Sequence, residues 1–316
     1  MFRRKETKMK KKILLAMVAA VLAMGGCGGS GEESQPTVES MAITATDKSE
    51  VDAANDGTQA QSNTDAQDNA EGNSYEAQIK AEIAQIASGA GSLSKELVSV
   101  NDLFAKYDDM KVNAQDQVTA NSLSKNGTQV WKEEVASLLE RIKDKNASSY
   151  GEISAEYEKW KSHVPFMVEK MSETYKDGSI YPSIYAYNEA MRYKREAYVL
   201  ASTLADMMSE VDFVYPDSTR CGFYGDYEGS SYLTITEGME NGSYNIVIHI
   251  DDTKELRGYG EVEDAPDNDT YLLFTSDDGT VKGFVSHSSL EASFYVTETD
   301  YSVVGPEGAY SFSFKY

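Results

Sequence analysis

Cysteine, histidine and basic side chains are all scarce in this chain of 316 residues. Its two cysteines cannot form a disulfide framework, and its three histidines add too few soft ligands for an ordinary zinc site. The 29 Lys and Arg residues are outnumbered by 52 Asp and Glu residues, which gives a formal net charge of −23. Binding to nucleic acid needs a basic face that displaces phosphate counterions, so we expect no nucleic-acid partner. The length predicts roughly two domains.

A long apolar run follows the basic start of the chain. Residues 1–12 carry seven Lys and Arg and a single Glu, and apolar side chains then extend from Ile13 to Met24. This run has about 12 residues, whereas a helix needs about 20 to cross the core of a bilayer. The pattern therefore predicts a signal peptide over residues 1–26 rather than a membrane-spanning helix.

The end of the apolar run places small residues before a cysteine. The sequence LAMGGC at residues 22–27, followed by Gly28, Gly29 and Ser30, resembles the lipobox of bacterial lipoproteins. The resemblance implies that Cys27 is lipidated, becomes the mature N-terminus and anchors the protein at the outer face of the bacterial cell membrane. The alternative is an ordinary secretory signal that is cut nearby.

Residues 27–74 read as a disordered acidic linker that begins with the lipidated Cys27. From residue 28 to residue 74 there are ten acids, one base and no aromatic residue. Such a segment cannot bury enough apolar area to offset the entropy lost on ordering. We expect a flexible, self-repelling stalk that holds the folded part away from the membrane.

From residue 75 to residue 212 the apolar residues recur with the period of a helix. In the clearest stripe the steps are three or four residues, as one face of an α-helix requires. That stripe consists of Ile153, Tyr157, Trp160, Val164, Met167, Met171 and Tyr175. Pro165 is expected to kink or split this helix, and Pro182 to start the next one, whose stripe ends at Val211. Five amphipathic helices with short connections predict an antiparallel bundle with both tryptophans in its core.

At residue 213 the period changes from 3.6 to 2. Leu233 and Ile235, then Ile246 and Ile248, alternate with polar residues, and Tyr310, Phe312, Phe314 and Tyr316 do so near the end of the chain. About eight strands in roughly 100 residues predict a small barrel or sandwich. The fold class is therefore α+β, with a helical bundle at 75–212 and a separate antiparallel β domain at 213–316, for which we expect independent folding.

Residue patterns typical of catalysis or metal binding are sparse. His163, His249 and His287 are far apart in sequence and lie in no known nucleophile motif. The acidic loops at 264–269 and 277–279 lack the spaced acids and terminal Glu of a calcium loop. We expect Cys221 to be a buried structural residue. The sequence predicts no enzyme activity, no cofactor and no metal site.

The helical region resembles the N-terminal domain of LprI-type lysozyme inhibitors, a module of bacterial envelope lipoproteins. The resemblance covers about 90 residues and rests on a few positions, which are Trp131 with Glu134, Leu138 and Leu139, then Trp160, Gly178-Ser179, and Arg195 ahead of Leu200. It implies that the protein inhibits a lysozyme or another wall hydrolase. A basic hydrolase also agrees with the acidity of this chain, because opposite charges speed association.

Three tyrosines near the start of the last helix are the candidate partner-binding residues. Tyr181, Tyr185 and Tyr187 crowd the start of this helix, and they cannot all face one core. Exposed aromatic side chains are common anchors of interfaces. The alternative is that they pack within the fold. Two other functions stay open, namely an adhesion, scaffold or solute-binding lipoprotein without a hydrolase target, and a wall-acting enzyme with a carboxylate pair.

Overall fold

The structure is a computed structural model that describes residues 64–216, 220–226, 229–238, 240, 242–264, 270–288, 291–306 and 308–313, with side chains from residue 75 onward except at 264 and 270. Cys27, the signal peptide and most of the predicted linker lie outside the described residues. The described residues belong to one compact unit. No helix among the described residues is long and apolar enough to cross a membrane.

Five α-helices form the first part of this unit, as the sequence predicts. They are α1 (Thr64–Gly89), α2 (Leu93–Val112), α3 (Gln117–Lys145), α4 (Ala147–Ser172) and α5 (Tyr181–Met208), with a short 3₁₀ helix at Glu173–Tyr175 after α4. Helix α1 begins inside the segment that the sequence assigns to the linker. Its extra residues extend a helix that the buried Ile79 and Ile83 already hold in place.

Local signals set the boundaries of these helices. The side chains of Ser92 and Asp116 accept hydrogen bonds from the amides of Lys95 and Thr119, and so cap α2 and α3. Asn146 ends α3 and caps α4. Pro182 lies in the first turn of α5, where a proline loses no helical hydrogen bond.

Two details of the predicted helical stripes differ in the structure. Of the kink or split expected at Pro165, the split does not occur, because α4 continues through this residue to Ser172. Pro165 is exposed, and buried side chains on both sides of it, Val164 and Met167, hold the helix together. Val211 was expected on the last buried stripe, but it is 91% exposed, since α5 ends at Met208 and Ser209 takes a left-handed conformation.

The helical core confirms the interpretation of the two tryptophans as core residues. Helix α3 is central and contacts the four other helices. Trp131 on α3 and Trp160 on α4 are both buried, and the ring of Tyr193 from α5 lies edge-on to Trp160 with 5.2 Å between centroids.

Eight antiparallel strands follow the helices, and each pairs with the next along the chain. They are β1 (Gly222–Gly225), β2 (Tyr232–Glu237), β3 (Ser243–Asp251), β4 (Lys254–Asp264), β5 (Thr270–Ser276), β6 (Lys282–His287), β7 (Glu291–Glu298) and β8 (Ala309–Ser313). Strands β1 and β8 come into contact, so the sheet is a nearly closed barrel. The sequence left a barrel or a sandwich open, and the structure has the barrel.

The barrel interior is filled by the alternating residues that the sequence pattern indicates. Leu233, Ile235, Ile246 and Ile248 are buried, and so is Phe312. Phe314 and Tyr316 lie outside the described residues.

Glycines make room for two large rings in this interior. Phe274 and Phe294 meet edge to face with 5.2 Å between centroids. A Cβ atom on Gly258 or Gly283 would lie 2.8 or 2.6 Å from one of these rings, so a larger residue cannot occupy either position without a shift.

The helices cover one side of the barrel. Phe223 of β1 and Tyr232 of β2 belong to the hydrophobic core of the bundle, and Val247 of β3 packs against it. Phe166 of α4 is perpendicular to both rings, at 6.0 Å from each. The change from helix to strand falls near the predicted boundary at residue 213. The barrel interior has a hydrophobic core of its own, but the core of the bundle extends past this boundary to Phe223 and Tyr232.

Candidate functional site

The side of the barrel away from these contacts carries an aromatic surface open to solvent. We call it the outer aromatic face and define it as Tyr259 on β4, Tyr271 and Leu273 on β5, Phe284 on β6 and Tyr295 on β7. Tyr259, Leu273 and Tyr295 are 48%, 42% and 37% exposed. Large apolar side chains that are this exposed and adjacent are uncommon on a soluble surface, and they mark interaction sites.

Strand register holds the outer aromatic face together. Leu273 is opposite Phe284, and Phe284 is opposite Tyr295. The rings of Phe284 and Tyr295 stack with 4.7 Å between centroids, and Tyr271 lies 5.3 Å from Phe284. Cross-strand contacts of this kind hold the side chains in place.

The inner neighbours of these residues anchor the strands that carry the face. Leu272, Phe274, Val285 and Phe294 alternate with the face residues and are buried in the barrel. Where they carry the outer aromatic face, strands β5 to β7 are therefore apolar on both sides. The barrel core anchors the inner side, and the outer side is left exposed.

Two acids border the outer aromatic face. Glu261 is opposite Leu273 and Glu263 is opposite Tyr271 in the register of β4 and β5. Both acids are exposed, and neither forms an ion pair with a base in the described part of the chain. The nearby Arg257 is engaged by Glu173 and Glu255, each at 2.8 Å. The edge of the face is therefore locally negative.

The three candidate tyrosines do not form one site. Tyr181 and Tyr185 lie together, with 5.9 Å between ring centroids. They line a groove of about 600 Å³ with Lys125, Lys132 and Glu189, and the Lys132 ammonium lies 2.8 Å from the Glu189 carboxylate. Tyr185 also packs against the bundle core, and this burial raises the pKa of its phenol.

Tyr187 faces a different groove, of about 580 Å³. Its ring lies 6.4 Å from Phe104, and the Lys111 ammonium lies 5.6 Å from its centre. Ile180 and Ile184 line the same groove. The structure thus separates Tyr187 from the other two tyrosines, because helical periodicity turns it to another side of α5.

The histidines and Cys221 occupy separate places. His249 stacks on Tyr232 with 4.6 Å between centroids, and its Nδ1 lies 3.0 Å from Glu255. His163 is on α4, and its Nδ1 lies 2.8 Å from the Lys159 carbonyl oxygen. Burial lowers the pKa of His287, and Arg220 and Arg195 lower it further. Cys221 is partly buried against the barrel core.

Acidic side chains in the described turns serve the turns themselves. Asp278 accepts hydrogen bonds from Ser276 and from the amide and hydroxyl of Thr280, and these bonds lower its pKa. Among the described residues no group of three or more His, Cys, Asp or Glu is placed to hold a metal ion.

Two carboxyl groups meet inside the helical bundle. Glu96 on α2 and Glu134 on α3 are 2% and 0% exposed, and Arg141 donates two hydrogen bonds to Glu96. The Arg141 guanidinium is 4.0 Å from Glu134. Burial raises the pKa of Glu134 well above its usual range, the neighbouring Glu96 raises it further, and Arg141 opposes the shift. This pair is enclosed by packed side chains, so it does not present a carboxylate pair to a polymeric substrate.

The outer aromatic face was not found from the sequence, although a signal was present. Residues 271–274 read Tyr-Leu-Leu-Phe and residues 293–296 read Ser-Phe-Tyr-Val, so apolar residues stand at consecutive positions in both strands. A strand with only one buried face alternates with polar residues. The absence of alternation in a barrel strand indicates a second apolar face.

Comparison with known proteins finds no family model, no curated protein and no solved structure that matches this chain. The LprI-type resemblance is not tested by these comparisons and stays a prediction.

Proposed function

We propose that this chain is an exported, lipid-anchored binding protein of the bacterial cell envelope. In this proposal Cys27 holds the protein at the outer face of the membrane, and the folded unit binds a basic partner protein without catalysing a reaction. Inhibition of a lysozyme or another wall hydrolase is the activity that the LprI-type resemblance implies.

The observation that carries the proposal is the charge of the barrel. Residues 213–316 contain 19 acids and 5 bases. Three of these bases, Lys254, Arg257 and Lys282, already form ion pairs with acids of the fold. The remaining acids create a negative field, and such a field raises the association rate of a positively charged protein.

A second candidate function is the binding of a small solute. The groove beside Tyr181 and Tyr185 supports it, because its volume of about 600 Å³ is within the usual range for small-molecule sites. Two aromatic rings and the amine of Lys125 would suit a planar or anionic solute. This function corresponds to the solute-binding alternative left open by the sequence.

A titration of lysozyme activity with the purified full chain tests the leading proposal. We expect inhibition that weakens as salt is raised, because long-range attraction between charges is screened within about 8 Å at physiological ionic strength. Succinylated lysozyme, whose amines carry negative charge, serves as the control for binding and should not associate. Absence of binding to native lysozyme and to a second basic wall hydrolase would contradict the proposal.

The enzymatic alternative has its own assay. Incubation of the full chain with purified peptidoglycan, followed by chromatography of the soluble products, detects cleavage of the polymer. We expect no released fragments above those of a heat-denatured sample. Fragments released in proportion to protein concentration would replace the binding function by a catalytic one.

A further inference from the structure

We infer that the outer aromatic face is the docking surface for the basic partner, with Leu273, Phe284 and Tyr295 at its centre and Glu261 and Glu263 at its edge. This inference rests on the proposed function, and it adds the place of binding and the chemistry of the contact. The matching partner surface has an apolar patch bordered by Lys or Arg.

Packing is the first argument for this surface. In strands β5 to β7 only the inner side of the barrel wall is covered, because Leu272, Val285 and Phe294 are buried there. The outward residues of β1 to β3 instead find partners in the helices, as Phe223 and Tyr232 do. The apolar outward residues of β5 to β7 have no such cover from the described residues. A partner protein would supply it.

The form of the aromatic cluster favours a protein over a flat sugar chain. The rings of Phe284 and Tyr295 are nearly parallel, at 16° and 4.7 Å, so each ring shields one face of the other. Sugar rings stack on open aromatic faces, whereas a protein side chain can insert beside ring edges. Tyrosine is also enriched among the residues that dominate binding energy at protein interfaces.

Charge identifies the partner as basic. Glu261 and Glu263 stand directly opposite Leu273 and Tyr271, and both are exposed. Lys282 is the base on β6 closest in sequence to Phe284, and Glu298 already pairs with it at 2.9 Å. An apolar centre with an acidic border complements an apolar patch with a basic border, and it repels an acidic protein or a second copy of this chain.

The test measures the affinity and association rate of lysozyme for the full chain in detergent micelles. The centre is probed with Leu273→Ser and Tyr295→Ser, and the matched control is Val118→Ser, an exposed aliphatic residue on α3. The border is probed with the double variant Glu261→Gln/Glu263→Gln. Its control is Glu152→Gln/Glu156→Gln, which removes the same charge from exposed positions on α4.

We expect the centre variants together to weaken binding about thirtyfold, mainly through faster dissociation, while Val118→Ser changes nothing. The border variant should lower the association rate and its salt dependence more than the α4 control does. The circular dichroism spectrum of each variant must match that of the unchanged chain, which shows that weaker binding does not result from unfolding.

Three results would overturn the inference, and they are distinguishable. If lysozyme binds but the centre and border variants bind equally well, the docking surface is elsewhere and the proposed function stands. If the unchanged chain binds neither lysozyme nor a second basic hydrolase, the proposed function fails as well. If sedimentation shows a dimer that the centre variants dissociate while lysozyme binding persists, the face is covered by a second copy.

Discussion

The ring of Phe166 on α4 lies edge-on to the ring of Phe223 on β1, with 6.0 Å between their centroids. Tyr232 of β2 completes the cluster, because it stacks on Phe223 at 5.2 Å and is buried with it. Gly229, with a positive φ of 70°, passes so close to Phe166 that a Cβ atom there would lie 2.5 Å from the ring. The helices and the barrel therefore share one packed aromatic cluster.

Phe166→Ala is expected to destabilise the helices and the barrel together. The loss of a half-buried ring from this cluster should cost about 2 kcal/mol of unfolding free energy, below the value for a fully buried Phe. Hydrogen exchange measured along a urea titration checks the coupling. Peptides of α4 and of β2 should lose protection at the same urea concentration, and that concentration should fall in the variant.

Arg257→Ala is the matched electrostatic control for this interface. Arg257 pairs with Glu173 at 2.8 Å across the same junction, but its side chain is 40% exposed. An exposed ion pair contributes less than about 1 kcal/mol, so the variant should unfold close to the unchanged chain. If instead the barrel peptides keep their urea midpoint in Phe166→Ala, the two parts are independent, as the change of apolar period at residue 213 predicts.

Glu196 is expected to make the stability of the protein fall as pH rises. It is 4% exposed on α5, and burial raises its pKa to about 7 although Arg192 partly opposes the shift. A carboxyl group whose pKa is raised in the folded state stabilises the fold fully below its unfolded pKa of about 4.5. This stabilisation is lost as pH rises to about 7.

Glu196→Gln should remove this dependence. Between pH 4 and pH 8 the free energy of unfolding of the variant should rise by roughly 3 kcal/mol relative to that of the unchanged chain, which is the equivalent of the shift in pKa. Urea unfolding at pH 4, 6 and 8 measures it, with Glu152→Gln at an exposed position of α4 as the control. Parallel stability curves for Glu196→Gln and the unchanged chain would show that Glu196 is already ionised in the fold.

Arg141→Met is expected to destabilise the bundle most at neutral and alkaline pH. Arg141 donates two hydrogen bonds to the buried Glu96 and lies 4.0 Å from Glu134, so its removal leaves two buried carboxyl groups without a cation. The variant should lose about 2 to 3 kcal/mol of unfolding free energy at pH 7. This is less than the loss on breaking a fully buried ion pair, because Arg141 is partly exposed.

The sign of the pH effect follows from Glu134, whose pKa is already raised by burial and by Glu96. Protonation removes the repulsion, so the destabilisation should shrink as pH falls to 4. Thermal unfolding at pH 4 and pH 7.5 checks this. An equal loss at both values would mean that the Arg141 side chain matters through packing alone.

The fold class could be predicted from periodicity because each part buries one face in a regular way. Ile246 and Ile248 alternate with polar residues and fill the barrel, and the stripe from Tyr157 to Met171 packs the bundle. The kink or split expected at Pro165 follows from a local rule. Packing of Val164 and Met167 overrides the loss of one backbone hydrogen bond in an exposed part of the helix.

The candidate site was harder to predict because it depends on which side of the barrel the helices cover. Tyr232 and Tyr295 are both strand tyrosines that point out of the barrel, yet one is 1% exposed and the other 37%. Tyr232 is covered by Phe166 of α4 and stacks on Phe223 and His249, whereas no helix covers Tyr295 in the described part of the chain. Such contacts join residues far apart in sequence, and a single sequence carries no periodic signal for them.

Cys27→Ser is expected to release the protein from the membrane. If Cys27 carries the lipid, its hydroxyl replacement cannot accept the thioether-linked chains that give stable attachment. Fractionation of cells that express the full chain should move the variant from the membrane pellet to the soluble fraction. Mass spectrometry of the unchanged protein should show the added lipid mass on Cys27. A variant that still needs detergent would contradict the lipoprotein anchor.

The tyrosine groove on the helical bundle offers the last test. Lys125 lines the groove with Tyr181 and Tyr185, while Lys132 is paired there with Glu189, so the groove has no excess negative charge to attract a basic partner. We therefore expect Tyr181→Ala and Tyr185→Ala to leave lysozyme affinity unchanged. Because Tyr185 packs against the bundle core, Tyr185→Ala should also lower the unfolding free energy by about 1 to 2 kcal/mol.

Tyr187→Ala tests the third candidate tyrosine separately, because Tyr187 lines the other groove with Lys111. Titration calorimetry with lysozyme and thermal unfolding are measured on all three variants. If Tyr185→Ala lowers the stability and leaves the affinity unchanged, Tyr185 is a packing residue and the groove on α5 is not part of the partner surface. A thirtyfold loss of affinity, equivalent to about 2 kcal/mol, would instead place the partner on α5 and away from the barrel.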